Sequence, residues 1–347
     1  MKASKTRAIA SAAAAFALVT TACGSDDAAD EPAAEPPAET EAAADEPAAE
    51  PMKIGIVAPS AENDLAWSQS MFDSVNRVGE GRDIEVAISG GLFVVEDAAA
   101  ALRGYAEDGF DLVIAHGTQF GGPLQEIADD FPDVAFALGT STDFFGKDNI
   151  FAYSVDAGQG GYVNGVMAAQ LTASNVIGVV GPVPAGDAKL YIDGFVAGAE
   201  AQNPDAEVNV NYIDSFGDVQ LASEAAKAHV ANGADVLTGT AQMVVGATGV
   251  AAEEGIPWFG TQSNQTDLGA DIVVSSQVYH WEIVLEQMLD KITAGTLGGE
   301  AFVISFENMG LEMEYNDGFG LDASVRESAD ATVAGISEGT IEVPAGE

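Results

Sequence analysis

Beyond residue 52 the chain alternates between two hydrophobic periods. Short runs rich in Val, Ile and Phe recur at 54–57, 84–88, 112–115, 134–138 and 150–155. They return at 176–180, 208–213, 235–238, 256–259, 272–275 and 302–305. Runs of this length and composition read as strands, and the continuously apolar ones as strands buried on both faces. Between them lie segments with apolar residues at helical spacing: 67–78, 98–107, 124–130, 162–173, 191–202, 221–231 and 281–294. Strands alternating with helices predict parallel sheets covered on both faces. About eleven strands are too many for one compact doubly wound sheet, so the pattern predicts two similar α/β lobes. Each opens with a strand ending in Gly or Pro, Val57-Ala58-Pro59 and Val180-Gly181-Pro182.

The start of the chain follows neither period. Lys2, Lys5 and Arg7 precede an apolar run over 8–19, and no acid falls within 1–22. A run that short does not span a bilayer, which takes about 20 residues, and the pattern predicts a signal peptide over 1–22. Thr20-Thr21-Ala22-Cys23-Gly24-Ser25 resembles a bacterial lipobox, with Thr20 where Leu is usual. Cys23 is the only cysteine, so no internal disulfide forms, and it is the predicted site of lipid attachment to an outer membrane face. The alternative is an ordinary secretory peptide. Residues 23–51 then read as an acidic Pro/Ala-rich linker, without Lys or Arg after Cys23, kept extended by proline and self-repulsion.

Charge narrows the function classes. The chain carries 55 Asp+Glu against 12 Lys+Arg, a formal net charge of −43. Ten of the acids and three of the bases precede Met52, which leaves −36 on the remainder. Nucleic-acid binding needs clustered Lys and Arg, so that class is excluded. The acidic surface fits a strongly hydrated protein, including one adapted to high salt.

Ligands of open α/β sheets bind beyond the carboxyl ends of strands. The loops there (58–67, 116–122, 139–144, 181–191, 239–245, 260–265 and 275–281) hold Gly, Ser, Thr, Asn and Gln, with Trp and Tyr at their exits. Amides pair with neutral heteroatom edges and aromatic faces stack on flat rings. The loops therefore suit a neutral, partly planar small molecule rather than phosphate. The candidates are Asn63, Asp64, Trp67, Gln119, Tyr191, Gln242, Gln262, Asn264 and His280. Each has a bland alternative. Trp67 could be helix core, Asp64 a helix cap, and Tyr191 a partner for Phe195 four residues on; the glutamines could hydrate loops. His116 could be structural or ligand-facing, and His229 reads as a plain helix residue. No Walker loop, G-x-G-x-x-G after the first strand, metal set or cofactor motif stands out. Gly335-Ile336-Ser337-Glu338-Gly339 fits a nucleophile elbow formally, but no His follows it, and it reads as a loop.

Several pieces in order resemble one family. They are Lys53-Ile54-Gly55-Ile56-Val57, Asn63-Asp64-Leu65-Ala66-Trp67, the Pro-Asp-Val segment in 130–136 and the helix at 162–169. Gly194-Phe195-Val196-Ala197-Gly198-Ala199 with Asn203-Pro204, Gly233-Ala234-Asp235-Val236 and Ser275-Ser276 complete the set. Over residues 53–291 the chain resembles the basic-membrane-protein family, extracytoplasmic lipoprotein receptors that feed ABC importers. The resemblance implies a type I periplasmic-binding fold, two doubly wound lobes joined by crossovers near Val155, Tyr279 and Phe306. One lobe would comprise 52–155 plus 282–304 and the other 156–281 plus 305–347. It further implies a purine nucleoside or nucleobase as ligand, an ABC permease as partner and a lipid-anchored monomer outside the membrane, with no catalysis and no cofactor. Trp67 and Tyr191 match the two aromatics that sandwich the base, and Asp64 the opening carboxylate. Gly122 stands where many members carry an Asp, and Gln262-Ser263-Asn264-Gln265 where many carry acids read as holding ribose; Gln262-Ser263 and Trp281 look closer to a branch associated with free bases. A same-fold signalling receptor for another heteroaromatic solute, or a cell-envelope hydrolase, are the rival expectations.

Overall fold

The computed structural model describes residues 50–344. The predicted signal peptide at 1–22, the predicted lipid site Cys23 and the predicted linker up to residue 49 lie outside the described residues. Two six-stranded sheets carry the architecture. The first holds β1 (Met52–Val57), β2 (Ile84–Ser89), β3 (Leu112–His116), β4 (Ala135–Gly139), β5 (Ile150–Val155) and β11 (Glu300–Ile304), in the order β11-β5-β4-β3-β1-β2. The second holds β6 (Val176–Gly181), β7 (Glu207–Tyr212), β8 (Val236–Gly239), β9 (Trp258–Gln262), β10 (Val273–Tyr279) and β12 (Leu311–Tyr315), in the order β12-β10-β9-β8-β6-β7. Every pairing is parallel except β10 with β12. The apolar runs explain this, since strands such as β3 and β4 are buried at every position.

The chain passes between the sheets three times: after β5, between β10 and the helix that follows it, and between β11 and β12. In each sheet the strand order reverses at one place, where β1 meets β3 and where β6 meets β8. There the connections leave on opposite sides and open a crevice.

Helix α1 (Trp67–Gly81) buries Trp67, Met71, Phe72, Val75 and Val78 at helical spacing. It packs near α8 (Glu282–Thr293), to which Arg77 reaches across to bind Glu282 through Nε at 2.7 Å and Nη2 at 2.9 Å. Helices α4 (Gly158–Leu171) and α5 (Gly186–Gln202) cross backbone to backbone. A Cβ on Gly165 would stand 2.1 Å from the Phe195 carbonyl, and one on Gly194 would stand 2.1 Å from the Gly158 carbonyl. This close approach is what the Gly-Phe-x-Ala-Gly segment provides.

Two helices were absent from the sequence pattern. Helix α7 (Val244–Glu254) is rich in Val and Gly and apolar on most sides, so it has no helical stripe to read. Helix α9 (Ala323–Ser337) takes in Gly335 to Ser337, part of the segment read as a loop, and packs on α4. The formal elbow serine, Ser337, ends this helix and donates to the Val333 carbonyl at 2.9 Å.

Candidate functional site

A cavity lies between the two sheets, with about 520 Å3 of empty space counting its mouth. Its walls come from the switch points. Pro59 follows β1, and Gly117 to Gln119 follow β3. From the other lobe come Ala185 and the first turn of the helix at 186–202, Gly186 to Ala188, with Ala241 and Gln242 after β8 and Gln262 at the end of β9.

Trp67 forms the aromatic wall. Asp64 sets its position, accepting from the backbone N–H groups of Ala66 (2.9 Å), Ser68 (3.0 Å) and Gln69 (3.0 Å) and from the Ser60 hydroxyl. Those N–H groups would otherwise be the unpaired donors of the helix start. Asp64 thus caps α1 and fixes its first residue, Trp67; it does not line the cavity. The indole stacks on His116 at 4.1 Å between centroids and 3° between planes. Trp281 stands 5.7 Å from Trp67 and 6.0 Å from His116, near perpendicular to both. Those nearly equal distances place Trp281 beside the stack, not on the far face of the indole. Among the described residues no ring lies parallel on that far face.

The opposite wall is polar. Gln262 Nε2 donates to Asp187 Oδ2 at 3.0 Å, and the Tyr279 hydroxyl stands 3.5 Å from the same oxygen. Burial pushes the Asp187 carboxyl above its ordinary value, against the hydrogen bonds from Gln262, the helix backbone and Tyr279. Burial also raises the Tyr279 phenol well above its usual range. Half-buried Phe216 and exposed Phe93 add aromatic surface, one from each lobe.

The cavity brings together four sequence candidates: Trp67, Gln119, Gln242 and Gln262. The others lie elsewhere. Tyr191 was expected opposite Trp67, but it is fully buried inside the second lobe. Its hydroxyl accepts from Asn164 Nδ2 at 3.0 Å and meets Thr238 Oγ1 at 2.9 Å. Its ring lies 6.4 Å from Phe195, and burial pushes the phenol up to about 12. The spacing to Phe195 belonged to the core. Asn63 is exposed and lines a separate shallow depression beside Ile88 and Ser89. Asn264 is exposed and donates to Glu314 outside the cavity. His280 sits at the second crossover, with Nδ1 2.8 Å from Glu282 and Nε2 3.2 Å from Glu312. Sequence reasoning missed Asp187 and Phe216. Phe216 lies in a strand-end loop after β7 and was open to the same logic. Asp187 carries no signal among 55 acids until its burial is known.

The lobes meet at this site. Ser263 Oγ donates to the Ala66 carbonyl at 2.8 Å, and Gln265 Nε2 to the Leu65 carbonyl at 3.1 Å. Fold and site together define a two-lobed solute-binding protein with its ligand cavity between the lobes. Residues 52–345 match the Bmp family, described as PnrA-like ABC transporter substrate-binding proteins, and the chain belongs to that family. Members of that class act outside the cytoplasm, and among the described residues no helix is long and apolar enough to cross a membrane. The chain is 28% identical over 234 residues to a purine-binding protein of Brucella abortus, covering 66% of this chain and 65% of that one. It is 26% identical to the transcriptional activator protein med of Bacillus subtilis, over 71% of this chain and 77% of that one. An ABC transporter nucleoside-binding protein of Lactococcus lactis is 24% identical, over 81% and 86%. Among solved structures, a solute-binding protein of Conexibacter woesei superposes with a TM-score of 0.69 at 26% identity, covering 84% of this chain and 98% of that one.

Proposed function

We propose that the protein captures a purine, as free base or nucleoside, between its lobes and presents the closed form to the permease of an ABC importer. The observation that carries this reading is Trp67, an indole stacked by His116 on one face, lining a cavity whose other wall holds amides and a carboxylate. A flat heteroaromatic ring satisfies both walls, stacking on the indole and pairing its edge with Gln262 and Asp187. Phe216 supplies the second-lobe aromatic surface in place of Tyr191. Relatives described as purine-binding and nucleoside-binding support the same solute class. In this reading the lobes, 52–155 with 282–304 and 156–281 with 305–347, hinge at the three crossovers. A lipid on Cys23 tethers the monomer through its acidic linker. Closure follows because the ligand contacts both walls only in the closed state. Calorimetry with adenine, hypoxanthine, adenosine and glucose, with mass spectrometry of molecules released on denaturation, tests it. Binding of a purine supports the reading; binding of glucose alone overturns it.

A further inference from the structure

Two buried side-chain polar atoms have no hydrogen-bond partner among the described residues, Thr240 Oγ1 and Gln262 Oε1. Thr240 directly follows β8 and Gln262 ends β9, neighbouring strands whose carboxyl ends reach the cavity wall. Thr240 is fully buried and Gln262 is 2% exposed. Buried polar groups are almost always paired, and of the two orphans Gln262 lines the cavity, so its free oxygen calls for a partner held there.

The chemistry of that partner is constrained by Gln262. Its Nε2 faces Asp187 Oδ2, and a carboxylate only accepts, so turning the amide over would set oxygen against oxygen. The backbone N–H groups of Asp187 and Ala188 also donate to this carboxylate, which holds it in the accepting role. Gln262 Oε1 is therefore a fixed acceptor in want of a donor. Its backbone sits at φ +74°, a left-handed conformation that non-glycine residues adopt at a cost, and such residues cluster at ligand sites.

We infer that the missing partner of Gln262 Oε1 is an N–H of the ligand, so the site selects purines whose six-membered ring carries an N–H donor. A donor on the six-membered ring serves free base and nucleoside alike, whereas the imidazole N–H is lost in a nucleoside, where that nitrogen bears the sugar. The inference rests on the purine reading of the cavity and deepens it from a ring to a ring edge. The unsubstituted parent, purine, stacks as adenine does but lacks a donor on its six-membered ring.

The test is calorimetry with adenine and purine on the wild-type protein and on Gln262→Met. Wild type is expected to bind adenine at least tenfold more tightly than purine. In Gln262→Met the two affinities are expected to converge to within about twofold, as fits the loss of one neutral hydrogen bond. Equal wild-type affinities, or a ratio that survives in the variant, would overturn the inference and leave the purine reading intact. Failure of both rings and of adenosine to bind would overturn the purine reading and this inference with it. The wild-type ratio decides the matter even if the variant does not fold.

Discussion

Trp67 and His116 hold each other by ring and by backbone. Their rings stack at 4.1 Å, Trp67 Nε1 donates to the His116 carbonyl at 3.2 Å, and His116 Nε2 donates to the Trp67 carbonyl at 3.1 Å. A carbonyl only accepts, so the proton of the neutral imidazole sits on Nε2. Nδ1 then accepts from the Tyr153 hydroxyl at 2.7 Å. Burial lowers His116 to about 3, against the favourable bond to the Trp67 backbone, so the ring is neutral at physiological pH. His116, the last residue of β3, is a backing plate. It fixes the plane of the indole that lines the cavity.

The indole is expected to dominate affinity. Base–aromatic stacking contributes about 1–3 kcal/mol per base. Trp67→Ala should weaken adenine or adenosine binding at least tenfold by calorimetry, while Trp67→Phe retains part of the stacking surface. Affinity unchanged in Trp67→Ala would remove the indole from the site.

Tyr191 makes the opposite prediction. Its hydroxyl links Asn164 to Thr238, and Thr238 in turn donates to the Phe259 carbonyl at 2.8 Å. Tyr191→Phe loses two buried hydrogen bonds, each worth about 0.5–1.5 kcal/mol net. Stability in urea should fall by about 1–3 kcal/mol with ligand affinity within twofold of wild type. A selective loss of affinity would put the phenol back at the cavity.

These two aromatics show where sequence reasoning carries and where it stops. Both stand near a strand-end loop and both begin a helical pattern. Strand-end logic therefore nominates both, along with Gln119, Gln242 and Gln262, which line one cavity with Trp67. It cannot tell which way a helix turns its first residues. Tyr191 lies one turn inside α5, beyond Asp187, and the backbone crossing of α4 and α5 rotates it into the core. Asp187 takes the position at the cavity instead. The two-lobe fold was legible because its strands are continuous apolar runs. Helix α7 was not, because burial on most sides erases the polar face that marks a helix.

The α4–α5 crossing should tolerate no side chain at its glycines. In Gly165→Ala the added Cβ meets the Phe195 carbonyl oxygen at 2.1 Å, a backbone atom that cannot swing aside. Overpacking of this kind costs about 1–3 kcal/mol or more, and backbone obstruction belongs at the upper end. Thermal unfolding should show Gly165→Ala clearly less stable, whereas Gly249→Ala, with open space at its Cβ, should unfold close to wild type. Equal melting of all three proteins would contradict the crossing.

The second crossover carries a charge network whose sign can be worked out. His280 lies between Glu282 of the first lobe and Glu312 of the second, and Arg77 also binds Glu282. The hydrogen bond to Glu282 raises the His280 pKa above its ordinary 6.5, against the opposing effect of burial. Burial alone would raise Glu282, but the bonds from His280 and Arg77 outweigh it and hold the carboxyl at about 2. A raised histidine binds its proton more tightly in the fold, so its stabilisation is complete below about pH 6.5 and fades as pH climbs through the raised value. A depressed carboxylate contributes above about pH 4.5 and fades as pH falls toward 2. Both contributions coexist between about pH 4.5 and 6.5. The stability difference between wild type and His280→Gln, measured by urea denaturation, should therefore be largest in that window and shrink toward pH 9. A difference that grows with alkalinity would mean that His280 is held neutral, and that the crossover is not bridged by charge.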